Sequence, residues 1–167
     1  MSAGHDAFVG LGSNLEGPVD QVNAGSDALA AIADTRLVAC SPLYGSAPMG
    51  PADQPDYVNA VARLCTGLAP HALLDELQRI ETETGRARSG ERWGPRTLDL
   101  DLLLYDDVRC RDQRLTLPHP GISERAFVLV PLADIAPDVT LPGNNEPVGR
   151  LATRIDRGGL WPLEAIA

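Results

Sequence analysis

An α+β fold, a ferredoxin-like βαββαβ sandwich with an antiparallel sheet, helices and extra C-terminal elements, is predicted by three features of this 167-residue chain. The order of periodicities is strand, helix, strand, strand, helix, strand. Two stretches, Tyr57 to Thr66 and Thr97 to Leu104, alternate with the period of a strand. A third, Pro70 to Thr84, carries Leu73, Leu74, Leu77 and Ile80 on one helical stripe.

Taken in order, Ala7 to Leu11 is a short apolar run ending in Gly12-Ser13-Asn14, a first strand and its turn. Gly10-x-Gly12 lacks the third glycine and the acidic partner of a dinucleotide fingerprint, so it reads as a tight turn. Gly17-Pro18 opens a helix that places Val19, Val22, Leu29 and Ile32 on one face and ends near Asp34. Arg36 to Tyr44 is strand-like with weak alternation. Ser46 to Asp56 holds Pro48, Gly50, Pro51 and Pro55 and reads as a stiff loop. In the next strand Val58, Ala60, Ala62 and Leu64 share one side, and Tyr57, Asn59, Val61 and Arg63 the other. Gly85 is expected to stop the second helix. In the following strand Leu98, Leu100, Leu102 and Leu104 lie on one side, and Thr97, Asp99 and Asp101 on the other. Val108 to Leu117 reads as a hairpin return. Ser123 caps a short helix through Val130, halted by Pro131. A weak helix near Val148 to Ile155 precedes a tail containing Trp161-Pro162. A chain of this length is expected to form one domain.

Composition narrows the function classes. Fourteen basic against 23 acidic residues give a net charge of −9, which argues against general nucleic-acid binding. Every basic residue other than histidine is arginine, which excludes the P-loop lysine, the protein-kinase lysine and Schiff-base chemistry. Cys40, Cys65 and Cys110 are odd in number and widely spaced, so neither a disulfide framework nor a Cys-x-x-Cys zinc ribbon is supported. Reduced thiols and the lack of a signal-like or ~20-residue apolar run predict a cytoplasmic protein with no membrane role.

The chemistry concentrates in Glu91-Arg92-Trp93-Gly94-Pro95-Arg96-Thr97-Leu98-Asp99-Leu100-Asp101. Two carboxylates two residues apart on a strand point the same way, and like charges that close call for a cation. Oxygen-only donors suit magnesium, which takes its remaining ligands from water and substrate phosphates. Arg86, Arg88, Arg92 and Arg96 crowd the preceding segment, and arginine grips phosphate in a fork. Together they suggest a metal–nucleotide site. The alternatives are a solvated strand face for the aspartates and surface salt bridges for the arginines. Gly85, Gly90 and Gly94, with Trp93 as the one large apolar side chain, predict a mobile Gly85–Arg96 segment that closes over nucleotide.

Tyr57-Val58-Asn59, Arg86-Ala87-Arg88, the Arg92–Asp101 run and Pro118-His119 closely resemble the 6-hydroxymethyl-7,8-dihydropterin pyrophosphokinases of folate synthesis. The resemblance covers about Phe8 to Pro142 and leaves 143–167 as a tail. It implies transfer of the β,γ-pyrophosphoryl group of ATP to the pterin hydroxymethyl group, releasing AMP. It further implies that Asp99 and Asp101 hold two Mg2+ ions, with Arg88 and Arg92 catalytic beside them. ATP contacts are implied for Gln78, Glu81, Arg86, Arg88, Arg92, Trp93, Arg96, Leu102, Thr116, His119 and Arg125. Pterin contacts are implied for Tyr57, Asn59, Trp93, Asp99 and Phe127, and for backbone groups of Ser46, Ala47 and Met49. A core position remains open for Phe127, and a solvated helix face for Gln78 and Glu81. Some family members carry an aromatic residue where this chain has Pro120, and many a basic one where it has Gly121. The expected partners are ATP and a reduced pterin, bound by a monomer. A rival reading is a non-catalytic ferredoxin-like binding domain, since a fold alone implies no function.

Overall fold

A computed structural model describes residues 4–14, 17–47, 56–86 and 98–163, without the side chains of residues 85 and 86. Its centre is β4 (Tyr57–Thr66), flanked by β1 (His5–Ser13) on one side. On the other side β2 (Thr35–Cys40) pairs with one end of β4 and β3 (Tyr44–Ser46) with the opposite end. Beyond β1 lies β5 (Asp99–Tyr105), and beyond β3 lies β8 (Leu160–Pro162). All these pairings are antiparallel, giving a six-stranded sheet. With β2 and β3 counted as one broken strand, the core order β5-β1-β4-β2/β3 is that of a ferredoxin-like sandwich.

The break explains the weak alternation of Arg36 to Tyr44. Ser41 leaves the strand pattern but stays attached to β4. Its N–H donates to the Val61 carbonyl and its hydroxyl accepts from the Val61 N–H, both at 2.9 Å. Pro42, which has no N–H, follows at the break.

Two helices cover one face of the sheet. Helix α1 (Pro18–Ala30) follows Gly17, whose φ of 70° leaves Pro18 at the first helical position. It buries Gln21, Val22, Gly25 and Leu29 and ends at Ala30 rather than near Asp34. Ile32, just past its end, is still buried. Helix α2 (Pro70–Arg86) runs through Gly85. A single helical glycine costs about 1 kcal/mol relative to alanine, too little to stop a helix already packed by Leu73, Leu77 and Ile80. Each fully buried leucine of this layer contributes roughly 1.5–3 kcal/mol.

The opposite face, which a bare βαββαβ unit leaves to solvent, is covered by C-terminal elements. Helix α3 (Ala126–Ile135) and helix α4 (Val148–Arg154) pack Val128, Leu129, Leu132, Val148 and Ala152 against Phe8, Val61, Leu103 and Leu104. Helix α3 does not stop at Pro131, which lies buried inside it. Nor does Ser123 cap it: Arg125 holds the N-cap position, and Ser123 falls in a separate 3-10 turn, Ile122–Glu124. Packing on the sheet outweighs the hydrogen bond lost at the proline. The hairpin is formed by β6 (Cys110–Arg111) and β7 (Thr116–Leu117). Among the described residues, no helix is long and apolar enough to cross a membrane.

Candidate active site

The register of β5 against β1 places the aspartates. Asp99 pairs with Gly12 and Asp101 with Gly10. Across β1, Gly12 pairs with Asn59 and Gly10 with Val61. Asp99, Gly12, Asn59 and Tyr44 therefore form one row across the sheet, and Asp101, Gly10 and Val61 the next. The glycines are not a tight turn. They lie inside β1, where alternation puts both on the face bearing the carboxylates, and they leave the middle of that face bare of side chains. A strand glycine repeated at period two was the signal in the sequence for this floor.

Over the floor opens a cavity of about 210 Å³. Ser46, Ala47, Tyr57, Asn59, Asp99, Asp101, Arg125 and Phe127 line it together with Gly10, Gly12 and Leu103. Asn59 is 5% exposed, and its Nδ2 donates to Ser46 Oγ at 2.7 Å. That bond fixes the orientation of the amide at the floor of the cavity. Asp99 is half-buried and Asp101 exposed. Phe127 sits at the first turn of α3, half-buried, with the Arg125 guanidinium carbon 5.9 Å from its ring centroid. It packs against the second core cluster and also lines the cavity. The amide end of α3 lies on the same side as Arg125 and adds to the preference for an anion there. Tyr44 donates its hydroxyl to Asp134, tying β3 to α3; burial, followed by that carboxylate, pushes the phenol up to about 12.

Leu103 is an addition that sequence periodicity missed. The register shifts between Phe8 and Val9, so that Val9 pairs with Leu102 and Phe8 with Leu104. Leu103 is the extra residue of this bulge. Leu104 is thereby carried to the face of Phe8 and Leu103, and does not share a side with Leu98, Leu100 and Leu102.

The remaining nucleotide candidates are scattered around this cavity rather than in it. Leu102 is 3% exposed in the core beneath α1 and α2, so its side chain is not at the site. Glu81 is not a solvated helix position: its Oε2 accepts the Leu100 N–H at 2.8 Å and ties α2 to the aspartate strand. Gln78 accepts from Arg114 at 3.1 Å on the outer side of α2. Thr116 is half-buried in β7. His119 is half-buried, with its backbone N–H on the Leu103 carbonyl and its Nδ1 accepting from the Gly121 N–H at 3.1 Å. That leaves Nε2 as the protonated nitrogen of the neutral ring. Burial pushes this imidazole below its ordinary 6.5; Asp101 opposes the shift and Arg125 adds to it. The small Gly121 lets the Arg125 side chain fold back over it, since a Cβ there would lie 2.6 Å from Arg125 Nε. Met49, Arg88, Arg92, Trp93 and Arg96 lie outside the described residues, as do the Arg86 side chain and residues 87–96 of the Gly85–Arg96 segment expected to close.

Comparison with known proteins agrees with the geometry. The model of the 7,8-dihydro-6-hydroxymethylpterin-pyrophosphokinase (HPPK) family matches residues 8–137. The 2-amino-4-hydroxy-6-hydroxymethyldihydropteridine pyrophosphokinase of Haemophilus influenzae is 54% identical over 138 residues, 83% of this chain and 86% of that protein. The Pseudomonas aeruginosa protein of the same name is 58% identical over 135 residues, 81% of this chain and 83% of its own. Among solved structures, an HPPK-DHPS in complex with substrates superposes with a TM-score of 0.71 at 12% identity, over 91% of this chain and 43% of that one. The Plasmodium falciparum HPPK-DHPS with pterin and p-hydroxybenzoate gives 0.72 at 13% identity, over 92% of this chain and 43% of that one. At such identities these structures support the fold, and the chain spans less than half of their length. The family match and the identity of the relatives carry the assignment: this chain belongs to the 7,8-dihydro-6-hydroxymethylpterin-pyrophosphokinase family.

Proposed function

We infer that this chain carries out its family's reaction, transfer of pyrophosphate from ATP to 6-hydroxymethyl-7,8-dihydropterin, giving AMP and the pterin diphosphate in folate biosynthesis. The observation that carries the reading is the cavity itself. A buried amide and two carboxylates face one another across a floor without side chains. That is room for a flat ring with its reactive arm extended toward the aspartates.

The division of labour follows. Asn59, held by Ser46, reads the donors and acceptors on the ring edge. Tyr57 and Phe127 offer aromatic faces to the ring. Asp99 and Asp101 fit Mg2+: both are oxygen donors, they share a strand face, and they border an open cavity able to admit water and phosphate. Bound with ATP, two Mg2+ ions would neutralise phosphate charge and act as Lewis acids. Arg125, which lines the cavity, and the amide end of α3 favour phosphate. His119, kept neutral by burial, presents Nε2–H as a donor without adding a full charge. Arg88 and Arg92, from their place in the sequence motif, steady charge developing on the transferred group, with Arg86, Arg96 and Trp93 on the nucleotide. Positioning and electrostatics are the bulk of phosphoryl-type catalysis, so no protein nucleophile is required. The net charge of −9 supports small-molecule over nucleic-acid partners.

The test is turnover with ATP, Mg2+ and the reduced pterin, with products identified by mass. AMP and pterin diphosphate are expected. Asp99→Ala or Asp101→Ala should lower turnover at least ~10²-fold, about 2.7 kcal/mol of transition-state stabilisation. ADP as product, or near-normal Mg2+-dependent rates in both variants, would overturn the reading.

A further inference from the structure

At the start of α2, outside the cavity lining, three metal-ligating side chains of different chemistry meet. His71 is in the first turn of α2, while Cys110 and Asp112 lie on the β6–β7 hairpin. His71 Nε2 is 2.6 Å from Asp112 Oδ2, and Cys110 Sγ is 3.6 Å from the same oxygen. One ligand atom from each residue falls within 4.8 Å of the other two. None of the three lines the cavity.

The carboxylate is built into place. Asp112 Oδ1 accepts the N–H groups of Arg114 and Leu115, both at 2.8 Å, which turns Oδ2 toward His71 and Cys110. Hydrogen bonds of this kind orient ligating carboxylates at metal centres. We propose that His71, Cys110 and Asp112 form a zinc site, separate from the Asp99–Asp101 pair, that clips the β6–β7 hairpin to the start of α2. Nitrogen, thiolate and carboxylate are a donor set for zinc rather than for magnesium or calcium. Zinc bonds of about 2.0–2.3 Å in a tetrahedron separate ligand atoms by roughly 3.3–3.8 Å. The Cys110–Asp112 separation already fits, and the His71–Asp112 contact opens by under about 1 Å as the metal replaces the shared proton. His71 binds as the neutral ring with its proton on Nδ1, and the Cys110 thiol gives its proton to solvent. About 45% exposure of His71 and Asp112 leaves the fourth position open to water. In the plainer reading, a solvated His–Asp ion pair, the thiol packs on the core and donates to the Leu115 carbonyl at 3.7 Å.

The probe is Co2+, titrated into the chelator-stripped full chain in excess Mg2+, then displaced by Zn2+. One equivalent of Co2+ with a near-ultraviolet thiolate charge-transfer band, lost on Zn2+ addition, is expected. Cys110→Ser should abolish that band while Asp99→Ala keeps it. His71→Ala should weaken binding by at least about ten-fold, as loss of metal-supporting groups does. Unchanged circular dichroism in Cys110→Ser and His71→Ala would show that these effects are not unfolding. A band that survives Cys110→Ser would assign it to Cys40 or Cys65 and overturn the proposal. So would binding that is unaffected by His71→Ala, or no thiolate band in the wild-type chain.

Discussion

Gly12→Ala probes the bare floor with one methyl group. Gly12 does not have a positive φ, so alanine is compatible with its backbone. An ideal Cβ there would sit 3.3 Å from Asn59 Oδ1, with the Val58 carbonyl oxygen next at 3.9 Å. The contact is tighter than ordinary van der Waals distance, so the amide must yield by a few tenths of an ångström. Asn59 is buried and tethered at 2.7 Å to Ser46, so it cannot swing aside without stretching that bond. A misdirected amide loses a buried hydrogen bond to the ring, at about 1–3 kcal/mol. The pterin Kd should therefore rise roughly 5- to 150-fold. Stability should hardly change, because Gly→Ala in a strand gains about 0.5–1 kcal/mol in chain entropy against the local strain. ATP affinity should stay within about two-fold, since ATP does not contact Asn59 in the proposed arrangement. Gly10→Ala is the comparison that adds a methyl to the same floor without crowding the amide: its nearest contact is the Leu103 side chain at 3.6 Å, an ordinary distance. Calorimetric titration of each ligand and a thermal melt decide the matter. An unchanged pterin Kd in folded Gly12→Ala, or equal losses for both ligands, would refute the reasoning.

Asn59→Ala and Phe127→Ala should each weaken pterin binding about ten-fold or more while sparing ATP, by equilibrium titration. A plain loss of stability in Phe127→Ala would mark it as a core residue instead. Gly45→Ala should displace β8, because a Cβ on Gly45 would land within the Trp161 indole; a red-shifted Trp161 emission in a Trp93→Phe background is the readout. Asp112 is held at about 2, chiefly by the Arg114 and Leu115 N–H groups and then by His71, so its folded value is depressed from 3.8. Its contribution to stability is thus present above pH ~4 and lost as pH falls through about 2. Urea unfolding of Asp112→Ala should differ from wild type at pH 6 and converge with it near pH 2.

Local pattern was enough for much of this protein. Tyr57 to Thr66 is a strand with the limits its alternation implied, because it pairs on both sides along its length. The Asp99–Asp101 pair shares a face because strand geometry allows nothing else. The leucine stripe of α2 needed only its 3.6-residue period. Where the reading failed, the deciding partner lay far away in sequence. The bulge at Leu103 exists only in the register of β5 on β1, so Leu104 changes face with no mark in its own neighbourhood. Gly10-x-Gly12 resembles a turn until Asn59 and the aspartates pair on either side of it. Pro131 breaks a helix by propensity, yet burial of Leu129 and Leu132 against the sheet keeps α3 intact. The Trp161-Pro162 tail becomes an edge strand because β3 has an open side to receive it. Sequence alone determined that Asp99 and Asp101 share a strand face and that Leu73, Leu77 and Ile80 share a helix stripe, since period is a local property. Tertiary structure decided what lies between them, because register and packing are properties of pairs of segments.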